Sequence, residues 1–152
     1  MSSIQQIADK LAVPDALYRF FAGIDHRDKT VLASSLAENA VSDFTRAGAK
    51  AGFEYPVLEG RETIISALTT SLASLDTSHN VSNPRVTLNG DKAYLEALVG
   101  AQHVPRDDSS RHYLMMNHYK VDLIRHGEAW VILTCTVDNI WRDGDVAVLS
   151  MI

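Results

Sequence analysis

The chain contains one cysteine, Cys135, among its 152 residues, so it cannot form an internal disulfide. This scarcity is typical of a reducing, cytoplasmic setting, and the first residues lack the apolar core of a signal peptide. No apolar run approaches the ~20 residues that a membrane span needs, so a membrane is not expected as a partner. The net charge is −5 without a basic patch, which argues against nucleic acid as a partner.

Motifs for metal, phosphate and acyl-transfer chemistry are also missing. The sequence has no Cys-x-x-Cys, no pair of histidines at metal-binding spacing, no glycine-rich phosphate loop and no Gly-x-Ser-x-Gly elbow. It therefore predicts neither a metal site nor a nucleotide site. Internal repeats and low-complexity linkers are absent as well. A chain of 152 residues with 46% hydrophobic content suits one domain over residues 1–152.

Helical patterns occupy the first half of the chain and strand patterns the second half. The predicted helices span residues 3–11, 14–26, 30–36 and 60–75, and residues 40–44 read as a short strand. Residues 46–56 lack periodicity and predict a mobile loop or a loose hairpin. Four longer strands are predicted over 78–88, 93–104, 112–124 and 129–141, with turns at Gly90 and Gly127. Helices followed by an antiparallel meander predict an α+β fold, with a curved sheet wrapped over the helices.

Asp25 is the first candidate for a functional side chain. It directly follows Ile24, the last member of an apolar helical stripe that includes Leu17, Phe20 and Phe21. A carboxylate at the edge of such a stripe is unfavourable unless it has a partner, and His79 is the best partner further along the chain. The alternative interpretation is that Asp25 only rims the end of a helix and that His79 ends a turn.

Strand alternation places three further polar residues on apolar faces. His103 shares a face with small and apolar residues of its strand, and Asn117 and Tyr119 share a face of the next one. Each side chain is a candidate for the polar lining of a cavity. Each can equally be a core residue with satisfied hydrogen bonds.

The last predicted strand has an unusual pattern, because both of its faces carry apolar residues. One face carries Trp130, Ile132, Thr134, Thr136 and Asp138, and the other carries Val131, Leu133, Cys135 and Val137. A one-sided sheet alternates apolar with polar residues, so the second face must be covered. The pattern predicts a homo-oligomer with this face in or near the contact.

The order of the motifs resembles the SnoaL-like branch of the nuclear transport factor 2-like superfamily. The segments that carry the resemblance, in chain order, are AGID at 22–25, the Gly-x-x-x-Ile helix start at 60–64, TSHNVSN at 77–83, GEAW at 127–130 and DNIW at 138–141. Within this branch the chain is similar to scytalone dehydratase and to hexachlorocyclohexane dehydrochlorinase. The resemblance covers nearly the whole chain. It implies a cone-shaped α+β fold with an apolar pocket, usually in a homotrimer.

The same resemblance implies a catalytic mechanism without a cofactor. Its aspartate–histidine dyad falls at Asp25 and His79, and a second pocket histidine falls at His103. His79 would take a proton while a β leaving group departs, and Asp25 would hold the histidine's tautomer. His103, Asn117 or Tyr119 would donate to the leaving group or to a developing oxyanion. Asp138 and Trp141 look like the segment that closes the pocket.

The expected pocket is apolar and suits a small hydrophobic cyclic substrate. Its expected lining residues are Phe20, Phe44, Leu68, Val99, Met115 and Trp130, with Asn117 and Tyr119 as polar members. By the same resemblance, Ile24 and Phe44 stand where scytalone dehydratase has tyrosines, whose hydroxyls are taken to hold the water that polarises the substrate carbonyl. This difference argues against scytalone itself as the substrate.

Two other classes of function remain open at this stage. One is a binding module for a hydrophobic small molecule, in which Asp25 and His79 would not touch. The other is a polyketide-cyclase-type or ketosteroid-isomerase-type enzyme, in which a different inward carboxylate, with Asp138 as the candidate, would act without the dyad.

Overall fold

The computed structural model describes residues 3–149, which form four α-helices, six β-strands and a short 3-10 helix. The helices are α1 (Ile4–Asp25), α2 (Lys29–Ser34), α3 (Thr45–Ala51) and α4 (Arg61–Ser71), and Val146–Val148 is the 3-10 turn. The strands are β1 (Leu36–Asp43), β2 (Leu58–Glu59), β3 (Leu75–Asn89), β4 (Lys92–Pro105), β5 (Tyr113–His126) and β6 (Ala129–Gly144).

The six strands form one mixed sheet in the order β2-β1-β6-β5-β4-β3. Only β1 and β6 run parallel, and the other neighbours are antiparallel. The predicted apolar stripe of α1 packs on the inner face of the sheet, where Leu17, Phe20, Phe21 and Ile24 are all buried. The predicted α+β fold with a curved sheet over helices is therefore confirmed.

Helix α1 is one continuous element of 22 residues, so the prediction of two helices separated near Pro14 was wrong. Ser3 and Gln6 form a capping box that starts the helix. Pro14 lies inside the helix and removes one backbone hydrogen bond. Its neighbours Val13 and Leu17 are completely buried, and this tertiary packing offsets the lost bond.

The segment predicted as a mobile loop, residues 46–56, begins with helix α3. Asp43 accepts hydrogen bonds from the backbone and hydroxyl of Thr45 at the start of α3, and Gly52 ends it with a φ of 92°. The small residues Ala47, Gly48 and Ala51 of α3 are buried. Two other boundaries also differ, since Leu36 starts β1 and Leu75 starts β3 instead of ending helices.

A bulge in β6 changes which residues share a face. Ile132 pairs with Leu123 but Thr134 pairs with Asp122, so Leu133 is an extra residue in the ladder. The inner face therefore carries Trp130 and Ile132 before the bulge, and Cys135 and Val137 after it. The prediction that residues 131, 133, 135 and 137 form one continuous apolar face was wrong. The inserted residue Leu133 interrupts the alternation, so residues 135 and 137 point to the opposite face from residue 131.

None of the helices within residues 3–149 is long and apolar enough to cross a bilayer. The predictions of a single domain and of a cytoplasmic location stay predictions.

Candidate active site

A cavity of about 460 Å³ lies between the helices and the concave face of the sheet. Its walls are mostly apolar. Of the residues predicted to line it, the cavity walls contain Phe20, Phe44, Leu68, Met115, Asn117 and Tyr119. His79 and His103 also face the cavity. In the described part of the chain, no three His, Cys, Asp or Glu side chains converge as metal ligands would.

Asp25 and His79 make direct contact at the wall of this cavity. His79 Nδ1 lies 2.6 Å from Asp25 Oδ1, and the backbone N–H of His79 donates to Asp25 Oδ2 at 2.9 Å. The Thr77 hydroxyl also donates to Asp25 Oδ1, at 2.9 Å. The imidazole stacks on Phe21, with ring centroids 4.6 Å apart and an interplanar angle of 9°. The ring of His79 is thus held in its plane by Phe21 and in its orientation by Asp25.

The surroundings of Asp25 keep its carboxylate ionised. Burial alone raises the pKa of Asp25, but the hydrogen bonds from His79 and Thr77 outweigh burial, so the pKa lies below its ordinary value. A carboxylate can only accept hydrogen bonds, so His79 Nδ1 carries a proton. The remaining ring nitrogen, Nε2, then has the free lone pair that a general base needs.

Arg27 and Thr77 hold this geometry and were missed in the sequence. Arg27, two residues after the end of α1, adopts a positive φ of 57°. Its guanidinium donates to the carbonyl of Ile24 at 2.7 Å, to that of Leu72 at 2.8 Å and to that of Leu75. It therefore ties the end of α1 to the start of β3, the two elements that carry the dyad. The charged residues after Ile24 were visible in the sequence, but the groups of β3 and of the segment before it that Arg27 contacts are about 50 residues further along the chain.

His103 lies close to the dyad but has a different environment. Its ring centroid is 6.3 Å from that of His79, and its Nδ1 lies 2.9 Å from the carbonyl oxygen of Tyr113. A carbonyl only accepts, so Nδ1 is the protonated nitrogen and Nε2 is an acceptor. Burial lowers the pKa of His103 to about 4. At neutral pH this residue therefore presents an acceptor to the cavity, which differs from the predicted hydrogen-bond donor.

Four predicted substrate-binding residues lie outside the cavity walls. Val99 is completely buried in the core. Trp130 is also buried, at the far end of β6, where its indole N–H donates to Asp9 at 3.1 Å. Asp138 forms an ion pair with Lys50 at 2.8 Å, and Trp141 is 47% exposed. The bulge at Leu133 turns Asp138 away from the cavity, so alternation counted from Trp130 misplaced it. Trp141, which the DNIW resemblance had placed at the pocket, pairs with Met116 on the outer face of the sheet.

Several cavity residues come from segments that had no predicted role. Phe53 and Tyr55, after α3, and Leu149, after the 3-10 turn, complete the wall opposite the sheet. Burial raises the pKa of Tyr55 and, more strongly, that of Tyr119, so both phenols keep their protons. The aromatic pair in Phe53-Glu54-Tyr55 was the available signal, within a segment that lacked periodicity.

Comparison with known proteins identifies relatives along almost the whole chain. The terrestric acid biosynthesis cluster protein E of Penicillium crustosum is 30% identical over 151 residues, which cover 95% of this chain and 91% of that protein. The solved structure of a hexachlorocyclohexane dehydrochlorinase from Novosphingobium barchaimii has a TM-score of 0.77 at 17% identity, covering 95% of this chain and 94% of the other. A candidate scytalone dehydratase from Novosphingobium aromaticivorans has a TM-score of 0.77 at 14% identity, covering 93% and 90%.

These structural neighbours share the cone-shaped α+β fold that the sequence motifs implied. A family model described as a SnoaL-like domain matches residues 5–136, from the first turn of α1 to the middle of β6. This match covers most of the chain. The chain therefore belongs to the SnoaL-like domain family.

Proposed function

We propose that this protein is a cofactor-independent lyase that eliminates a β leaving group from a small hydrophobic cyclic compound. The observation that carries the proposal is the 2.6 Å contact between His79 Nδ1 and Asp25 Oδ1 at the wall of an apolar cavity. A histidine whose inner nitrogen is held by a carboxylate presents its outer nitrogen as a base.

The proposed reaction uses the dyad for one proton transfer. His79 Nε2 takes a proton from a ring carbon, the C–H electron pair forms the new C=C bond, and the neighbouring carbon releases its leaving group with the bonding electrons. Asp25 stabilises the imidazolium that forms, because its carboxylate stays ionised. Such a positioned base contributes roughly 10²–10⁴-fold to the rate.

We assign Tyr119 as the residue that donates a hydrogen bond to the leaving group. It lines the cavity, and burial raises the pKa of its phenol well above the ordinary value, so the hydroxyl remains a hydrogen-bond donor. His103 presents a lone pair on Nε2 instead, as described above. It suits an acceptor role toward a substrate hydroxyl or a water molecule.

The cavity supports the proposed substrate class. Its volume of about 460 Å³ and its aromatic and aliphatic walls fit a compound of one or two rings. The dehydrochlorinase and the candidate dehydratase among the structural neighbours are named for eliminations. The Penicillium relative is named for a biosynthesis cluster, which supports a secondary metabolite as the substrate.

The test is turnover of a panel of hydroxylated and halogenated cyclic compounds, followed by chromatography of the products. We expect elimination by the wild type, with kcat reduced by roughly 10²–10⁴-fold in His79→Ala and little change in substrate binding. His126→Ala, at an exposed histidine at the end of β5, is the matched control and should keep full activity. EDTA should not change the rate. Unchanged turnover in His79→Ala would show that the base is misassigned, and binding without turnover across the panel would favour a binding module.

The two alternative functions have less structural support. A binding module predicted that Asp25 and His79 do not touch, whereas they share two hydrogen bonds. The isomerase alternative depended on Asp138 as an inward carboxylate. Asp138 is engaged instead by Lys50 and, at 3.8 Å, by Arg46, outside the cavity walls.

We also propose that the protein is a homo-oligomer, with a trimer favoured by the family resemblance. The outer face of the sheet is the candidate contact, in place of the β6 face predicted from alternation. Trp141 is half-exposed there and pairs with Met116 of β5 in the ladder, next to Gly100 of β4. A second copy on this face would cover the exposed indole.

A further inference from the structure

A chain of polar contacts behind the dyad runs from Arg27 through Thr77 to Asp25. The Thr77 hydroxyl donates to Asp25 Oδ1 at 2.9 Å, and the same oxygen faces His79 Nδ1 at 2.6 Å. On its other side, Thr77 Oγ1 lies 3.5 Å from the guanidinium nitrogen Nη1 of Arg27. The Thr77 hydroxyl therefore stands between a cation and the carboxylate of the proposed catalytic dyad.

Arg27 determines the direction in which the Thr77 hydroxyl points. A guanidinium has only N–H donors, so Thr77 Oγ1 faces Arg27 as an acceptor. The ionised carboxylate of Asp25 can only accept, so the one O–H proton of Thr77 is directed to Oδ1. A neighbouring cation polarises the hydroxyl and makes it a stronger donor. Asp25 Oδ1 thus receives two donors, the Thr77 hydroxyl and His79 Nδ1–H.

The charge of Arg27 is held in place by carbonyl groups. Its guanidinium donates to the backbone carbonyls of Ile24, Leu72 and Leu75. Across residues 3–149 it forms no direct ion pair with Asp25, although the two residues are only two positions apart in the sequence. Arginine stays protonated in proteins, so a positive charge is fixed behind the dyad and acts on Asp25 across Thr77.

The other charged or titratable groups near the dyad are less directly connected to Asp25. Asp76 and Arg106 are exposed and form an ion pair with each other at 3.0 Å. His103 is uncharged at neutral pH, because burial lowers its pKa to about 4. Of these groups and Arg27, Arg27 alone is linked to Asp25 through a side chain that is hydrogen-bonded to it.

We propose that Thr77 is a positioning residue of the dyad and that Arg27 acts on Asp25 through the Thr77 hydroxyl. Each donor withdraws electron density from Oδ1, so Thr77 limits how strongly Asp25 holds the Nδ1 proton of His79. Burial raises the pKa of Asp25, and the Thr77 hydrogen bond is among the contacts that bring it below its ordinary value. The inference rests on the proposed function, in which a moderate hold lets His79 release its proton after each elimination.

The test follows the Nδ1 proton of His79 by NMR in ¹⁵N-histidine-labelled protein at neutral pH, and His79→Gln identifies the resonance by removing it. Thr77→Val removes the hydroxyl and keeps the shape of the side chain. We expect the resonance to move downfield in this variant, because Oδ1 then accepts from Nδ1–H alone. Thr77→Ser keeps the hydroxyl and should restore the wild-type position. A role limited to packing predicts the opposite pattern, with a shift in Thr77→Ser and none in Thr77→Val.

The controls separate this effect from folding. Thr87→Val, the same change at an exposed position of β3, should leave the resonance unchanged. The Nδ1 proton of His103, which is bonded to the carbonyl of Tyr113, is an internal reference in every variant. Thr77→Ala should give the same downfield shift as Thr77→Val, and thermal unfolding checks that the variants are folded. An unchanged or upfield resonance in the Val and Ala variants, or no recovery in Thr77→Ser, would overturn the inference.

The role of Arg27 is tested by making Arg27→Gln in the wild type and in Thr77→Val. We expect a downfield shift in the wild-type background and a clearly smaller one in Thr77→Val, because the hydroxyl that transmits the effect is gone. Arg27→Lys, which keeps a cation but loses the planar set of donors, should show the same dependence on Thr77. Equal shifts in both backgrounds would overturn the link through Thr77. The resonance is measured without substrate, so a failure of the compound panel to turn over would affect only the proposed lyase function.

Discussion

At the scale of single residues, the carboxylate of Asp25 holds both the main chain and the ring of His79. One oxygen accepts from the backbone N–H of His79, and the other faces Nδ1 of the same residue. This double contact aligns the imidazole without needing another charged group. It also explains why a carboxylate at the end of an apolar stripe is tolerated, since both of its oxygens accept hydrogen bonds from residues of β3.

Replacing Asp25 by asparagine should separate the effect of the carboxylate charge from the effect of the side chain's position. We expect Asp25→Asn to lower kcat by roughly 10²–10⁴-fold, because a neutral amide does not stabilise the imidazolium and can select the wrong tautomer of His79. Steady-state kinetics on a turned-over substrate measures the effect. Asp76→Asn, an exposed aspartate on β3 that pairs with Arg106, is the control with little expected change. A fully active Asp25→Asn would contradict the dyad mechanism.

His103 should make the stability of the protein depend on pH. Its folded pKa is about 4, whereas an unfolded histidine titrates near 6.5, so the unfolded state binds more protons between these values. The free energy of unfolding should therefore be highest above pH 6.5 and fall by about 3 kcal/mol as the pH drops from 6.5 to 4. Denaturant unfolding of wild type and His103→Gln at several pH values measures this difference. The same pH slope in both proteins would contradict it.

At the scale of elements, helix α1 is held in place by contacts near both of its ends. Near its start, Asp9 is buried in a two-pronged ion pair with Arg125 at 2.8 Å, and the Arg125 guanidinium lies 4.6 Å from the centre of the Trp130 ring. The ion pair keeps the pKa of Asp9 far below its usual range. Asp25 is about 24 Å further along the same helix. The buried anchor therefore helps to set the position of the dyad from the opposite end of the sheet.

The close approach of α1 to α2 at Gly23 predicts a coupled loss of stability and activity. A Cβ atom at Gly23 would lie 2.6 Å from the backbone of Leu32, so the last turn of α1 must move. We expect Gly23→Ala to lower the free energy of unfolding by about 1–3 kcal/mol. It should also reduce kcat, because Asp25 is only two residues away. Denaturant unfolding and steady-state kinetics measure the two effects.

Gly100→Ala is the matched control for Gly23→Ala. Its added Cβ would lie at an ordinary 3.5 Å from Met116 Cε, so the free energy of unfolding should change by less than about 0.5 kcal/mol. Equal stabilities for the two variants would contradict the tight contact between α1 and α2.

At the scale of the whole molecule, the outer face of the sheet should decide assembly. We expect Trp141→Glu to weaken the proposed oligomer, because a charge without a partner is unfavourable in a buried contact. Light scattering at micromolar concentration measures the mass. Ile4→Glu, which changes an 88% exposed residue on α1, is the matched control and should leave the mass unchanged. A monomeric wild type would contradict the proposed assembly.

Local patterns in the sequence were enough for much of the fold and for the centre of the site. The stripe that leads to Ile24 predicted the buried face of α1, and alternation predicted the inward positions of His103, Asn117 and Tyr119. The turns at Gly90 and Gly127 have the positive φ angles, 61° and 64°, that their sequences favour. Asp25 and His79 were paired as candidates because a carboxylate at an apolar edge needs a partner, and the family motifs pointed to the same two residues.

Features that depend on contacts between distant segments were decided only by the tertiary structure. Pro14 stays within α1 because the core buries both of its flanks, and the bulge at Leu133 depends on the register between β5 and β6. Arg27 finds its carbonyl partners on a segment about 50 residues away, and Thr77 reaches Asp25 from a strand further along the chain. A sequence encodes propensity and periodicity along the chain. Register, bulges and hydrogen bonds between distant segments arise from competition among all the packed elements at once.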